Sequence, residues 1–280
     1  MTKTRLKVGI STCPNDTFAF HALLKGVVQD AQIELDFELL DVEELNRGLA
    51  AGRFDIAKGS FHAGMHLSKE LLVLPVGSAL GFGVGPVVLK RPEATLGPTA
   101  RVLCPGQWTT ASLLWQLFHS REEGEIKQLP FHEILPALKR EEADLGVCIH
   151  EARFTYKEHG LELIEDLGST WEESTSSPLP LGGLFARRSL PGELIRRVSA
   201  LISESLAVSQ AKPELALESM RAHAQEFDDE VLMHHVELYV NEYTSTLGQV
   251  GAHALRMLHE RASSAGLLEA DAAPLSILEA

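Results

Sequence analysis

An α/β fold is predicted by two features of this 280-residue chain. Short strand-like segments alternate with helix-like ones through its first half, and long helix-compatible stretches fill its last third. Hydrophobic residues make up 45% and charged residues 23%, a globular balance with enough apolar surface for a sizeable core.

The elements follow in order. Leu6 to Ile10 reads as a strand that ends at the loop STCPNDT, and a helix is expected from Phe18 to Lys25, stopping near Gly26. Ile33, Leu35, Phe37 and Leu39 alternate with polar residues, the period of a half-buried strand. Asp41 with Glu44 three positions on is a capping-box signal for a helix through Leu49. Phe54 to Ala57 reads as a buried strand followed by the polar turn KGS, and Leu71 to Val76 as another strand. Beyond GSALGFGVGP, a second unit opens near Pro92, with a strand at Val102 to Cys104, helices at Thr110 to His119 and Ile134 to Glu142, and a short buried strand at Leu145 to Ile149. GGLFARR resumes a strand. Helical spacing then covers Leu190 to Val208, Pro213 to His223, Asp228 to Tyr239 and Val250 to Ala265, and the tail after Gly266 is expected along the surface. Val84 to Lys90 and Gly183 to Arg187 are the candidate crossovers. They divide the chain into a discontinuous lobe, 1–90 with 184–280, and an inserted lobe, 91–183.

The formal charge is -14, from 25 Lys and Arg against 39 Asp and Glu. Such a field opposes nucleic acid and anionic lipid, yet helix starts and local cations can still hold a small anion. The opening MTKTRLKVGISTCPNDTF has no long apolar stretch, and no run reaches the length of a membrane span, so a cytoplasmic protein is expected. Cys13, Cys104 and Cys148 are too far apart to indicate a disulfide framework or thiolate cluster, and no H-E-x-x-H pattern occurs, so no metal is expected.

Several places carry possible chemistry. In STCPNDTF, Asn15, Asp16 and Thr17 serve either a structural turn or a cleft wall, and Cys13 has no charge partner visible in sequence. Lys58, Gly59 and Ser60 follow a strand, where open α/β sheets form ligand crevices; Ser60 is either a helix cap or a ligand contact. The glycines of GSALGFGVGP do not follow the dinucleotide order and fit close backbone approach or a hinge. Thr109 and Thr110 stand before an apolar helix whose first N–H groups are free, so they either cap it or complete a carboxylate site. Trp108 either stacks on a ring or fills space. His150 ends the strand LGVCI and is either a proton acceptor working near neutral pH or a satisfied strand-end histidine. Glu151 is a candidate to orient it, and Arg153 either binds an anion or forms a surface pair.

Taken together, the motifs resemble one family, 1,4-dihydroxy-6-naphthoate synthase of the futalosine route to menaquinone. The resemblance runs through SxCPNDTF at 11–18, DVEELNR at 41–47, KxS at 58–60, ALGFGVGP at 79–86 and PGxxTTA at 105–111, then HExRFTY at 150–156, LPLG at 179–182, RAHAQE at 221–226 and YVN at 239–241. It implies a two-lobed periplasmic-binding-protein-like (type II) fold with a central ligand cleft. It also implies a lyase acting on cyclic dehypoxanthine futalosine, with Lys58, Gly59, Ser60, Thr109 and Thr110 lining the substrate site and His150 as proton acceptor. No cofactor or metal is implied. Phe61 stands where some relatives have Tyr after KxS, removing a hydroxyl. Chorismate dehydratase of the same route and a transporter's solute-binding protein are the rival readings. PGQWTTA with HEARFTY disfavours the first, and the missing signal peptide or lipid-anchored cysteine disfavours the second.

Overall fold

The structure is a computed structural model and describes residues 3–94, 100–119, 125–150, 152–224 and 228–279. Its strands are β1 (Thr4–Ser11), β2 (Ile33–Leu40), β3 (Ile56–Ser60), β4 (Leu71–Val73), β5 (Ala79–Gly81), β6 (Val87–Lys90), β7 (Val102–Cys104), β8 (Ile126–Gln128), β9 (Leu145–Cys148), β10 (Glu162–Asp166) and β11 (Leu179–Arg187). The first half of the chain carries helices α1 (Pro14–Ala19), α2 (His21–Leu24), α3 (Val42–Ala50), α4 (Phe61–His66), α5 (Thr110–Phe118) and α6 (Phe131–Lys139). The second half carries α7 (Ala152–Thr155), α8 (Leu167–Thr175), α9 (Gly192–Ala211), α10 (Pro213–His223), α11 (Asp229–Tyr239), α12 (Glu242–Ser245) and α13 (Gly248–Ser264).

Two sheets organise these elements. The first runs β2-β1-β3-β11-β4 with β5 also paired to β11; the second runs β10-β6-β9-β7-β8. Within the first, β1 is parallel to β2 and β3, whereas β11 is antiparallel to β3, β4 and β5. In the second, β7 is parallel to β8 and β9, and β6 is antiparallel to β9 and β10. Leu6, Val8 and Ile10 point from β1 into a cluster with α1, α2, α9, α10 and α11. Leu45, Phe54, Phe61 and Phe185 fill a second cluster that continues to α5 and α13 and covers the opposite face. Each such fully buried side chain contributes on the order of 1.5–3 kcal/mol by leaving water.

Most long elements stand where periodicity placed them, and the departures are local. The helix expected at Phe18 to Lys25 is two short helices, one starting at Pro14, because Pro is well suited to a first helical turn. The KGS segment is the end of β3 rather than a turn, with all five strand residues buried. Leu71 to Val76 is a strand only to Val73, and β5 interrupts the glycine-rich run. The C-terminal tail adds structure: Val73 N–H donates to the Ser276 carbonyl and Leu278 N–H to that of Val73, extending the edge beyond β4.

Two connections join the sheets, residues 82–86 after β5 and the α8 passage before β11. They meet at Gly85 and Gly168, where a Cβ on Gly85 would stand 2.2 Å from the Gly168 Cα, so backbone passes backbone with no room for a side chain. Arg153 ties this junction. Its guanidinium donates to the Gly85 carbonyl (2.8 Å) and to Asp166, whose other oxygen caps α8 at Gly168 N–H (2.9 Å). These bonds make Arg153 a brace between the two passages.

Candidate active site

The carboxyl ends of β1 and β3, the first half of β11, and the loops after β7 and β9 converge on one cavity, as expected for ligand crevices of α/β sheets. Lys58, Gly59, Ser60, Thr109, Thr110 and His150 all line it, together with Ser11, Asn15 and Asp16. Glu151 lies outside the described residues.

Lys58 brings a charge onto a central strand, and Asp16 neutralises it. The ammonium lies 2.7 Å from Asp16 Oδ1, both side chains being almost wholly buried, and donates to the Gly77 carbonyl at 2.7 Å. Asp16 in turn accepts from the Ser11 hydroxyl (2.6 Å) and the Asn15 amide (3.0 Å). Ser60 is held at both ends by buried Asn46, its N–H donating to Asn46 Oδ1 (2.8 Å) and its Oγ accepting from Nδ2 (3.1 Å). The Ser60 hydroxyl hydrogen is therefore left to serve the cavity.

Thr109 is the N-cap of α5: its Oγ1 accepts from Ser112 N–H at 3.2 Å and donates to the Gly106 carbonyl at 2.8 Å. Thr110 Oγ1 donates across the cleft to the Leu181 carbonyl at 2.6 Å. Both hydroxyl hydrogens are thus directed at carbonyls. What this helix start offers an anion is the first-turn N–H groups of Thr110 and Ala111, which have no carbonyl of their own helix to reach. Gly106 (φ +124°) lets the loop close on Glu43, where a Cβ would sit 2.6 Å from the carboxylate, and Glu43 receives Trp108 N–H from the other sheet's lobe. Burial pushes the Glu43 carboxyl above its ordinary range.

His150 follows β9 in the left-handed backbone region (φ 58°), which histidine tolerates better than most side chains and which costs roughly 1–2 kcal/mol. Its ring meets the Phe131 edge at 4.8 Å and lies 6.0 Å from the near-parallel ring of His235. Cys13 Sγ is 3.5 Å from Nδ1 and 3.4 Å from Nε2. A sulfur equally near both nitrogens cannot donate in line to both, so at least one nitrogen has no in-line bond from Cys13. Burial dominates the titration and pushes His150 from 6.5 to about 4; the Asp16 carboxylate opposes that shift and Lys58 reinforces it. The resting imidazole is therefore neutral at pH 7.

That depression has a consequence for stability. The unfolded chain takes up this proton near pH 6.5, the folded one only near 4. Between those values the unfolded state binds more protons, so stability falls as pH drops from about 6.5 to about 4 and is insensitive to this group above that window. His62, pushed to about 4 mainly by burial, acts in the same direction. Urea unfolding at pH 4.5 and 7.5 should show lower stability in acid for the parent, with a smaller difference for His150→Asn. An equal or larger difference in the variant would remove the part-buried neutral imidazole from the description.

The sequence points to the helix cap, the KGS segment and the histidine, and offers a cleft wall as one reading of STCPNDTF, but it does not show which of these side chains meet. Asp16, Ser11 and Cys13 reach Lys58 and His150 only through the fold. His235, which donates from Nε2 to the side-chain Oδ1 of Asn15 (3.0 Å), lies far away in sequence. The one available signal was the position of STCPNDTF at the end of a strand.

Comparison with known proteins adds to this geometry. A family model described as menaquinone biosynthesis matches residues 6–264. A Thermus thermophilus protein named 1,4-dihydroxy-6-naphtoate synthase is 41% identical over 97% of this chain and 99% of its own length. A Streptomyces coelicolor protein of the same name is 40% identical over 96% of this chain and 97% of its own. Among solved structures, one from Archaeoglobus fulgidus superposes with a TM-score of 0.89 at 33% identity, covering 94% of this chain and 98% of that one. The alkanesulfonate-binding protein SsuA from Xanthomonas axonopodis pv. citri gives a TM-score of 0.72 at 11% identity, covering 96% of each chain, and shows the fold alone. The architecture is periplasmic-binding-protein-like. Among the described residues, no helix is long and apolar enough to cross a membrane.

Proposed function

This chain belongs to the menaquinone biosynthesis family, and on that premise we propose that it is a 1,4-dihydroxy-6-naphthoate synthase, a lyase that splits cyclic dehypoxanthine futalosine with His150 as general base. The observation that carries the proposal is the shared cavity, in which a neutral imidazole and an open helix start both face one ligand-sized space. The N–H groups of Thr110 and Ala111 receive the substrate's carboxylate. His150 takes a proton from a hydroxyl on the sugar-derived ring; as that oxygen forms a carbonyl, the bond to the naphthalene precursor breaks, its electron pair stays on the precursor, and the precursor takes the proton back from His150. The sugar-derived fragment then leaves, and aromatisation draws the later steps forward. Lys58 and Ser60 line the wall, Lys58 with one N–H beyond its two bonds in the structure and Ser60 with its hydroxyl hydrogen. Closure of the two lobes excludes water and aligns the base.

The test is a product assay. The purified protein should convert cyclic dehypoxanthine futalosine to 1,4-dihydroxy-6-naphthoate and leave chorismate intact. Consumption of chorismate, or stoichiometric binding of the futalosine without turnover, would replace this assignment.

A further inference from the structure

Behind the open helix start stands a chain of polar groups with no part in the reaction above. His62 and His66 sit one turn apart on α4, directly after the KGS strand end. His62 Nδ1 is 3.2 Å from the Thr109 carbonyl, His62 Nε2 is 3.1 Å from His66 Nε2, and His66 Nδ1 is 2.6 Å from Glu269 Oε2 in the C-terminal tail. Trp108 stacks on His66, with ring centroids 5.7 Å apart and planes within 22°.

The polarity of these bonds can be worked out from one end. A carbonyl only accepts, so His62 Nδ1 carries a hydrogen and donates to Thr109. His62 is 3% exposed, and burial favours its neutral form. Its Nε2 is then a lone pair, and His66 Nε2 must donate to it. The Glu269 carboxylate also only accepts, so His66 Nδ1 must donate as well. Both nitrogens of His66 carry hydrogens. The same residue has the greater solvent access of the two, with a carboxylate at one end and an indole face beside it. The bond to His66 also holds the Glu269 carboxyl below its ordinary range.

We propose that His62, His66 and Glu269 form a proton-holding relay that fixes the Thr109 carbonyl, and through it aims the N–H groups of Thr110 and Ala111 at the substrate's carboxylate. His62 and His66 are positioning residues, since neither lines the cavity. The relay joins α4, the C-terminal tail and the start of α5, and so presses the anion-holding element of one lobe onto the other. This inference rests on the carboxylate-anchoring reading above.

The test is calorimetric titration with the product 1,4-dihydroxy-6-naphthoate and with its carboxamide, alongside steady-state kinetics. The unaltered enzyme should bind the acid at least about tenfold more tightly than the amide, the worth of one charge-assisted hydrogen bond. His62→Phe should lose about tenfold for the acid and nothing for the amide, raising KM while kcat stays within about threefold; His62→Gln, which keeps a donor, should recover most of the loss. Glu269→Gln, at an exposed position, should weaken acid binding in the same direction and add little to His62→Phe, because both interrupt one chain. Nitrogen-15 spectra of the unaltered enzyme at pH 7 should show His66 protonated at both nitrogens. Equal affinity for acid and amide in the parent would overturn the anchor and the relay's purpose with it. A preference for the acid that survives in His62→Phe, or a singly protonated His66, would overturn the relay and leave the anchor standing.

Discussion

His150→Asn is expected to lower kcat by about 10²- to 10⁴-fold, the usual worth of a positioned general base, while product affinity changes little. Asparagine is the informative replacement because the residue sits at φ 58°, a conformation asparagine adopts readily, so little backbone strain is added. Its amide fills part of the imidazole's space between Phe131, Cys13 and His235 but cannot take a proton. His150→Ala makes the comparison sharper: it too removes the base, and it adds the left-handed strain and a cavity. If both variants lose turnover alike and His150→Asn unfolds like the parent, the loss belongs to proton transfer. Single-turnover formation of 1,4-dihydroxy-6-naphthoate, measured beside calorimetric binding, separates the chemical step from affinity. Near-normal turnover by His150→Asn would move the base elsewhere in the cavity.

The reach of sequence reasoning can be judged from particular residues. Asp41 and Thr109 were legible because a cap is a local device, with donor and acceptor within one turn of each other. His150 was legible as a polar residue closing an apolar strand. Lys58 reads from sequence as a polar turn at the mouth of a ligand crevice, because a lysine, a glycine and a serine in succession break the apolar run of the strand. They form instead the buried end of a central strand, since Asp16 from α1 supplies the charge that makes Lys58 tolerable there. Strands β8 and β10, with sequences IKQ and ELIED, lacked any signal: they are short edge strands, partly exposed, and their pairing partners alone make them strands. The relay through His62 and His66 was invisible for the same reason. A spacing of four places two histidines on one helix face, but only the third partner, in the C-terminal tail, reveals what they hold.

Lys58→Met tests how far the site depends on that buried charge pair, and its expected cost is about 3–5 kcal/mol, the penalty for leaving a buried ion without its partner. Methionine matches the lysine stem in length, so packing between β1 and β11 is nearly preserved. What is lost is the ammonium, 2.7 Å from Asp16 Oδ1 and 2.7 Å from the Gly77 carbonyl. Asp16 then keeps only the Ser11 hydroxyl and the Asn15 amide, which hydrogen-bond the carboxylate without neutralising it. For a domain whose whole stability is on the order of 5–15 kcal/mol, such a loss is a large fraction. Adding Asp16→Asn removes the stranded charge, so the double variant should regain much of the stability, more than either side of the pair contributes by packing alone. It should not regain activity, because the cavity wall then lacks both the cation and the carboxylate that faces His150. Urea titrations of the parent, the single variants and the double variant close this cycle. If Lys58→Met unfolds within about 1 kcal/mol of the parent, the range of an exposed pair, then water reaches Asp16 in solution. In that case a dry ion pair at the floor of the cavity is not what holds β3 and α1 together.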